Sequence, residues 1–560
     1  MRIRFLSLIL ALLLLVGCRN TVPGDAAVSD LSEAANSISG TVSQTAGEEM
    51  EQKLAQIQAL GQAPNDNYRT WYEIFVYSYC DSNGDGVGDI PGVTQKLDYL
   101  QNLGIGGIWL MPIHPSPSYH KYDVLDYYAI DPAYGTMEDF ESLVSQCADR
   151  NIRLIIDLVV NHTSSQHHWF QEAVQYLSTL TPEQSPDSAV CPYVDYYFFQ
   201  NSEAPGYHLV PGTENWYYEG QFSPEMPDLN LGSTVVRAEI QKIMAFWTEK
   251  GVSGFRLDAA KEFYSGQTQK NVEVLSWLQT AARELNPDAY LVAEVWDGFS
   301  ALTQYYESGI TSLFNFAFGD SGGKIPKVLR GAGNPDLVNT YAPALQKADT
   351  AFRSSNPDYI DAPFLSNHDV GRIAGFAGRD PYKTKLAAAM NLFMGGNAFV
   401  YYGEELGMVA GALDHPSYRA PMNWGTDSST TQPPPGCTLP EAPPFGSLIQ
   451  QEGDPDSVYN YYRQAIAIRN AIPAIARGIP TVEEALNVGC VSAFRKTWNE
   501  EACIVLINIS EAEETIKLAG YSEWELAAFL SANGEEVKNE EQSLTLPAYG
   551  VAVLTAESIR

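Results

Sequence analysis

Positive charge is what this sequence has least of for its size. Lysine and arginine number 34 against 68 aspartates and glutamates, a net charge of −34. So acidic a chain repels phosphate backbones and anionic lipid, which argues against nucleic acid or a membrane surface as its main partner. Metal cations and neutral ligands remain. Cysteine is scarce too: there are seven, none in a CxxC pair, so zinc-site and thioredoxin-like readings lack support. Beyond residue 17 no apolar run reaches the roughly 18 residues that would span a membrane, and no fixed-period repeat is visible. Hydrophobic residues make up 45 % and charged residues 18 %, a globular composition. The 560 residues suffice for two or three domains.

The N-terminus reads as an address. Arg2 and Arg4 precede the apolar run Phe5–Val16, too short for a membrane span and right for a secretory signal. Its end, Leu15-Val16-Gly17-Cys18, resembles a bacterial lipobox. That resemblance implies removal of residues 1–17, lipidation of Cys18, and anchoring on the extracellular face of the cell envelope, with no other membrane contact. Residues 18–66, rich in Ser, Ala, Gly, Glu and Gln, read as a tether with a short helix from Glu48 to Leu60. Export permits disulfides. Cys490 and Cys503 lie in two short apolar runs that read as neighbouring strands; they either pair or stay as buried thiols. A monomer is expected.

From Trp71 the pattern changes to short apolar runs alternating with amphipathic helical stretches. The runs are Trp71–Tyr79, Ile105–Met111, Arg153–Val160, Val252–Leu257, Tyr290–Val295, Ser312–Phe318, Pro363–Leu365 and Ala398–Tyr402. Eight strands interleaved with helices such as Met137–Arg150 and Val235–Lys250 predict an α/β fold, a (β/α)₈ barrel over residues 67–475. About 70 residues separate Val160 from the helix near Ser233, too many for a loop. They predict an inserted subdomain after strand three, about 163–228. The last stretch, 476–560, alternates short apolar runs and predicts an all-β sandwich.

In such a barrel the active site gathers where the strands end. Strand three ends Asp157-Leu158-Val159-Val160-Asn161-His162. Strand four ends Arg256-Leu257-Asp258-Ala259-Ala260-Lys261, strand five Glu294-Val295-Trp296, and strand seven Asn367-His368-Asp369. Asp258, Glu294 and Asp369 should therefore converge, with Arg256, His162 and His368 beside them. Three carboxylates in one cleft cannot all ionise cheaply. Arg256 shares a strand face with Asp258, which favours Asp258 as the ionised nucleophile. Glu294, next to Val295 and Trp296, suits a protonated acid. That pairing is what a retaining glycosidase uses, and the aromatic content of 11 % supplies flat rings for sugars.

Together these blocks resemble, in order and spacing, the four signature regions of the α-amylase family of glycoside hydrolases, with the likeness running from about residue 68 to the end. The resemblance implies Asp258 as nucleophile, Glu294 as acid/base and Asp369 as transition-state stabiliser. It implies substrate contacts at Asp157, His162, Arg256, His368 and Lys261, at Tyr122 within His120-Lys121-Tyr122-Asp123, and at Arg419 within Arg419-Ala420-Pro421-Met422. A fifth block, Met226-Pro227-Asp228-Leu229-Asn230, is similar to that of the neopullulanase-like and intermediary members.

A separate loop, Asp81-Ser82-Asn83-Gly84-Asp85-Gly86-Val87-Gly88-Asp89, spaces oxygen side chains like the first two-thirds of an EF-hand loop. Position 92, where an EF-hand glutamate would complete it, is glycine. The family resemblance implies Ca²⁺ held by Asp81, Asn83, Asp85, the Val87 carbonyl and Asp89. A second family calcium site uses Asn161 and a histidine whose place is taken here by Glu262. The activity implied is hydrolysis of α-1,4 bonds in starch and maltodextrins. Transglycosylation or oligo-1,6-glucosidase action on the same site is the alternative, and a non-catalytic glucan-binding lipoprotein a remoter one.

Overall fold

A computed structural model describes residues 48–181, 184–425 and 429–556. The signal peptide, Cys18 and the first part of the tether lie outside the described residues.

Seven parallel strands form one curled sheet: β1 (Thr70–Ile74), β2 (Gly107–Leu110), β3 (Arg153–Leu158), β4 (Gly254–Leu257), β5 (Tyr290–Ala293), β6 (Ser312–Leu313) and β7 (Ala398–Tyr401). They lie side by side in the order β7-β1-β2-β3-β4-β5-β6. The gap between β6 and β7 is filled by residues 360–363. The Asn315 amide donates to the Ala362 carbonyl (3.0 Å), and the Phe399 amide to that of Pro363 (2.8 Å). This is the eighth stave of a closed (β/α)₈ barrel, seventh in chain order. It is not a regular strand because Pro363 has no N–H to give a ladder. The first strand is shorter than its apolar run: Val76–Tyr79 turn into a helix.

Period-two alternation sorts each strand's side chains. Trp71 stacks between Tyr290 (4.8 Å) and Phe399 (5.9 Å) and plugs the barrel's lower interior. Two residues on, Glu73 shares that inward face. Gly254 has φ 153°, and a Cβ there would collide with the Tyr290 carbonyl, so glycine is required where β4 starts against β5.

The insert after β3 carries the helix His168–Leu177 and a small antiparallel sheet of Phe199–Gln200, Tyr217–Glu219 and Tyr207–Leu209. Its last residues return to the barrel: Leu229 N donates to the Asn161 carbonyl (2.8 Å), and Asp228 bridges His162. The C-terminal region packs a five-stranded sheet against a three-stranded one, all antiparallel, around a core that includes Leu506, Ile516 and Leu546.

One expectation needs revision and one open alternative is decided. Residues 48–58 are helical, and Met50, Leu54 and Ile57 are buried at the i, i+4, i+7 spacing of an amphipathic helix. Glu51 pairs with Arg463 and Asp66 with Arg477, each at 2.8 Å. This last part of the expected tether is docked on the body. Cys490 and Cys503 form no disulfide, and none is formed among the described residues. The antiparallel register sets Cys503 opposite Lys496, six positions from Cys490, beyond the reach of a disulfide.

Candidate active site

Strand ends deliver the site's side chains to one place. Arg256 is fully buried and spreads its guanidinium over three carboxylates. Nη1 donates to Asp157 Oδ1 (2.8 Å) and Asp258 Oδ1 (2.5 Å), and Nη2 to Glu294 Oε2 (2.7 Å). Trp109 of β2 lies under the guanidinium, 5.0 Å from its ring centre, and its indole N–H donates to Asp157 Oδ2 (3.2 Å). Asp157 and Arg256 can meet because they face each other in the β3–β4 register.

Expecting Arg256 to favour Asp258 alone was too simple, since the cation serves Glu294 as well. What distinguishes Glu294 is desolvation. Burial, reinforced by Asp258 and Asp369 and opposed by Arg256, pushes its carboxyl up to about 7, into the range of a general acid at neutral pH. Burial likewise raises Asp157 to about 6 against the pull of Arg256. Next to Asp258, Ala259 adopts φ 46°, a left-handed conformation uncommon for a residue with a Cβ. The turn aims the Ala259 N–H at Glu294 Oε2 (3.1 Å).

Asp369 sits in a different field. Burial would raise its carboxyl, but His368, His415 and Arg419 together hold it well below the carboxylate range. The contacts are His368 Nε2 (3.0 Å), His415 Nδ1 (3.0 Å) and Arg419 Nη2 (2.9 Å). Tyr122 stacks on the His368 ring (5.4 Å), and its hydroxyl lies 2.6 Å from His368 Nε2 and 3.2 Å from Asp157 Oδ2. His162 is buried with Nε2 unpartnered at the cleft wall, an orphan polar atom suited to a ligand hydroxyl. Lys261 stands at the rim, paired with Asp297 at 3.0 Å.

Tyr122, His162, Asp258, Lys261, Glu294, Asp369, His415 and Arg419 line a cleft of about 650 Å³, shared with Tyr119, Phe222 and Trp296, while Asp157, Arg256 and His368 are buried behind them. Phe222 from the insert and Trp296 after β5 are both large and exposed; Trp296 rests on Phe316 (5.3 Å). The structure therefore brings Asp258, Glu294, Asp369, Tyr122, Asp157, His162, Arg256, His368, Lys261 and Arg419 to one site. The sequence reading missed Trp109, Phe222, His415 and Glu73. Glu73 had a signal: it is a lone carboxylate inside the apolar run Trp71–Ile74. Phe222 and His415 had none, because loop folding alone brings them in.

The loop 81–89 lies apart. Asp81 accepts from the Asn83, Gly84 and Gly86 amides (2.7–3.1 Å), and Asp89 from Ser82 and Gly92. Asp85 Oδ1 accepts from the Val87 amide (2.8 Å). Among the described residues no three His, Cys, Asp or Glu side chains form a metal cluster. The loop's donors are instead a mixture of carboxylate, amide and carbonyl oxygens. All are hard, and they fit a calcium ion rather than a soft metal. At the second family site, Asn161 Nδ2 donates to Asp228 Oδ1 (3.3 Å), and burial pushes Asp228 up to about 7.

Comparison with known proteins agrees with this geometry. Residues 73–478 match the alpha-amylase catalytic domain. "Alpha-amylase 3" of Dictyoglomus thermophilum is 39 % identical over 454 residues, covering 80 % of this chain and 85 % of that protein. A "Glucan 1,6-alpha-glucosidase" of Streptococcus pneumoniae is 29 % identical over 524 residues, covering 80 % and 92 %. Among solved structures, Eubacterium rectale Amy13B superposes with a TM-score of 0.86 at 43 % identity, covering 90 % of this chain and 98 % of that one. With buried carboxylates gathered at the strand ends of a (β/α)₈ barrel, and a family match spanning most of the chain, this protein belongs to the alpha-amylase family and is a glycoside hydrolase of α-glucans.

Proposed function

We propose that the chain is a retaining hydrolase of α-1,4-glucosidic bonds in starch, maltodextrins and related glucans. The observation that carries this reading is the unequal pair Asp258 and Glu294 on one guanidinium, with burial holding the second near neutrality. Asp258 attacks the anomeric carbon while Glu294 protonates the leaving glycosidic oxygen. The resulting ester is opened by water, whose proton returns to Glu294. Asp369, kept ionised by its cations, faces the positive charge that develops on the sugar. Tyr122 supports the sugar ring, and His162 Nε2 meets one of its hydroxyls.

The α-1,4 preference rests on the acceptor side. Ala259 leaves room beside the nucleophile, and a β-branched side chain at its positive φ would be strained. Phe222 and Trp296 offer exposed faces on which further glucose units stack, suiting a chain segment more than one terminal glucose. Purified protein given amylose, pullulan, maltotriose and isomaltose, with products separated by chromatography, tests this. Maltose and maltotriose should come from amylose, with little action on isomaltose. Faster glucose release from isomaltose than from maltotriose would move the protein to the α-1,6 branch, where the streptococcal relative is named.

The loop 81–89 holds a structural Ca²⁺ through Asp81, Asn83, Asp85, the Val87 carbonyl and Asp89. The N-terminal pattern ending at Cys18 supports export and a lipid anchor on the cell surface. Cys18→Ser should shift the protein out of the membrane fraction, and unchanged detergent partitioning would count against the anchor.

A further inference from the structure

Behind the reacting groups lies a carboxylate that the roles above do not use. Glu73, one residue before the end of β1, lies on its inward face and is buried, as is the His368 ring. Glu73 Oε1 lies 2.6 Å from His368 Nδ1 and 3.4 Å from the His368 backbone N–H. On the ring's other side, Nε2 lies 3.0 Å from Asp369 Oδ2. Each ring nitrogen therefore faces a carboxylate oxygen. A neutral imidazole has one N–H and one lone pair, so one of these contacts would set a lone pair against an anion. Only the imidazolium, with two N–H donors, satisfies both. The Tyr122 hydroxyl fits this assignment: it accepts from Nε2 and passes its own proton toward Asp157 Oδ2, 3.2 Å away.

We propose that Glu73 is a positioning residue: through His368 it keeps a permanent imidazolium against Asp369 and so holds the charge and orientation of that carboxylate during turnover. The proposal rests on the hydrolase reading above, in which Asp369 faces the developing positive charge. Burial opposes a charged ring, yet Asp369 and Glu73 outweigh it and lift His368 to about 9. The other charged or titratable groups around the pair are Tyr122, Asp157 and Arg256 on the β2–β4 side, Tyr401 on β7, and Arg419, whose Nε donates to the His368 carbonyl (3.1 Å). Arg256 and Arg419 are cations, so like-charge repulsion works against a charged ring between them. Glu73 is the added anion that offsets it.

The test is Glu73→Gln in the full chain. Glutamine is isosteric and still offers an oxygen to Nδ1, so the fold and a merely structural hydrogen bond survive while the charge is lost. Protein labelled with ¹⁵N-histidine, with His368→Asn to assign the signal, reads the ring directly. The wild-type ring should stay doubly protonated at pH 7.5, and the Glu73→Gln ring should be neutral there. Activity on maltotriose should follow: the alkaline limb of kcat/KM, set by Glu294 in the wild type, gains the deprotonation of His368 in the variant and steepens, and lowering the pH restores a rate within about threefold of wild type. A variant that loses activity equally at every pH, with its ring still charged, would reduce Glu73 to a structural part and overturn the proposal. So would a wild-type ring that titrates below pH 7, whatever the variant does. Wild-type protein that cleaves no α-glucan would sink the hydrolase reading instead, and the histidine titration would still decide this one.

Discussion

Arg419 Nη2 lies 2.9 Å from Asp369 Oδ1, and Nε of the same side chain donates to the His368 carbonyl (3.1 Å). One rigid fork thus ties a loop arginine to two consecutive residues at the end of the eighth stave. A lysine offers a charge but no fork. Arg419→Lys should therefore fold normally and lose about a hundredfold in kcat/KM on maltotriose, mostly in kcat. A loss under about threefold would remove Arg419 from the catalytic machinery.

Asp258→Asn should keep the fold, because amide and carboxylate are isosteric, but it cannot form the glycosyl ester. Turnover of amylose should fall below about a hundredth of wild type. Residual activity above that level in verified pure protein means that another group is the nucleophile.

Glu294 carries its proton below about 7, so the acid needed for leaving-group departure is present at lower pH. It is lost as the pH rises through that value, and kcat on natural glucans should decline there. Glu294→Gln should nearly abolish glucan cleavage, spare the first step on aryl glycosides with good leaving groups, and remove the alkaline limb on those substrates. Equal losses on both substrate classes would refute the acid role.

Calcium can be read without activity. A ligand bound only by the folded state stabilises it by mass action. Chelator should lower Tm by about 5 °C, and Asp85→Ala should abolish the response. Asp85 is exposed and its carboxylate accepts from the Val87 amide (2.8 Å), so removing that side chain costs little by itself. A wild-type Tm indifferent to chelator would leave the loop a solvated turn.

Much of the site was legible because its residues sit at the ends of apolar runs. Asp157, Arg256, Asp258, Glu294 and Asp369 each follow a strand-like segment, and strand ends in this architecture share one face. Loop-borne groups without that marker were invisible: nothing near Phe222 or His415 in the chain says that they reach the cleft. The choice between a Cys490–Cys503 pair and two buried thiols stayed open in the sequence for a related reason. Two apolar runs can be neighbours in either register, and only pairing through Lys496 and Cys503 sets the thiols apart.

By itself the sequence determined the barrel's alternation, the insert, the C-terminal β-structure and which carboxylates stand at the strand ends, because these depend on local periodicity and on residue type. Tertiary structure alone decided how the charges are shared. Arg256 bonds three carboxylates rather than one, burial ahead of Asp258 and Asp369 raises Glu294, and Glu73 meets His368 across 295 residues of chain. Desolvation and Coulomb interaction depend on distance and enclosure in space, which the order of residues does not contain.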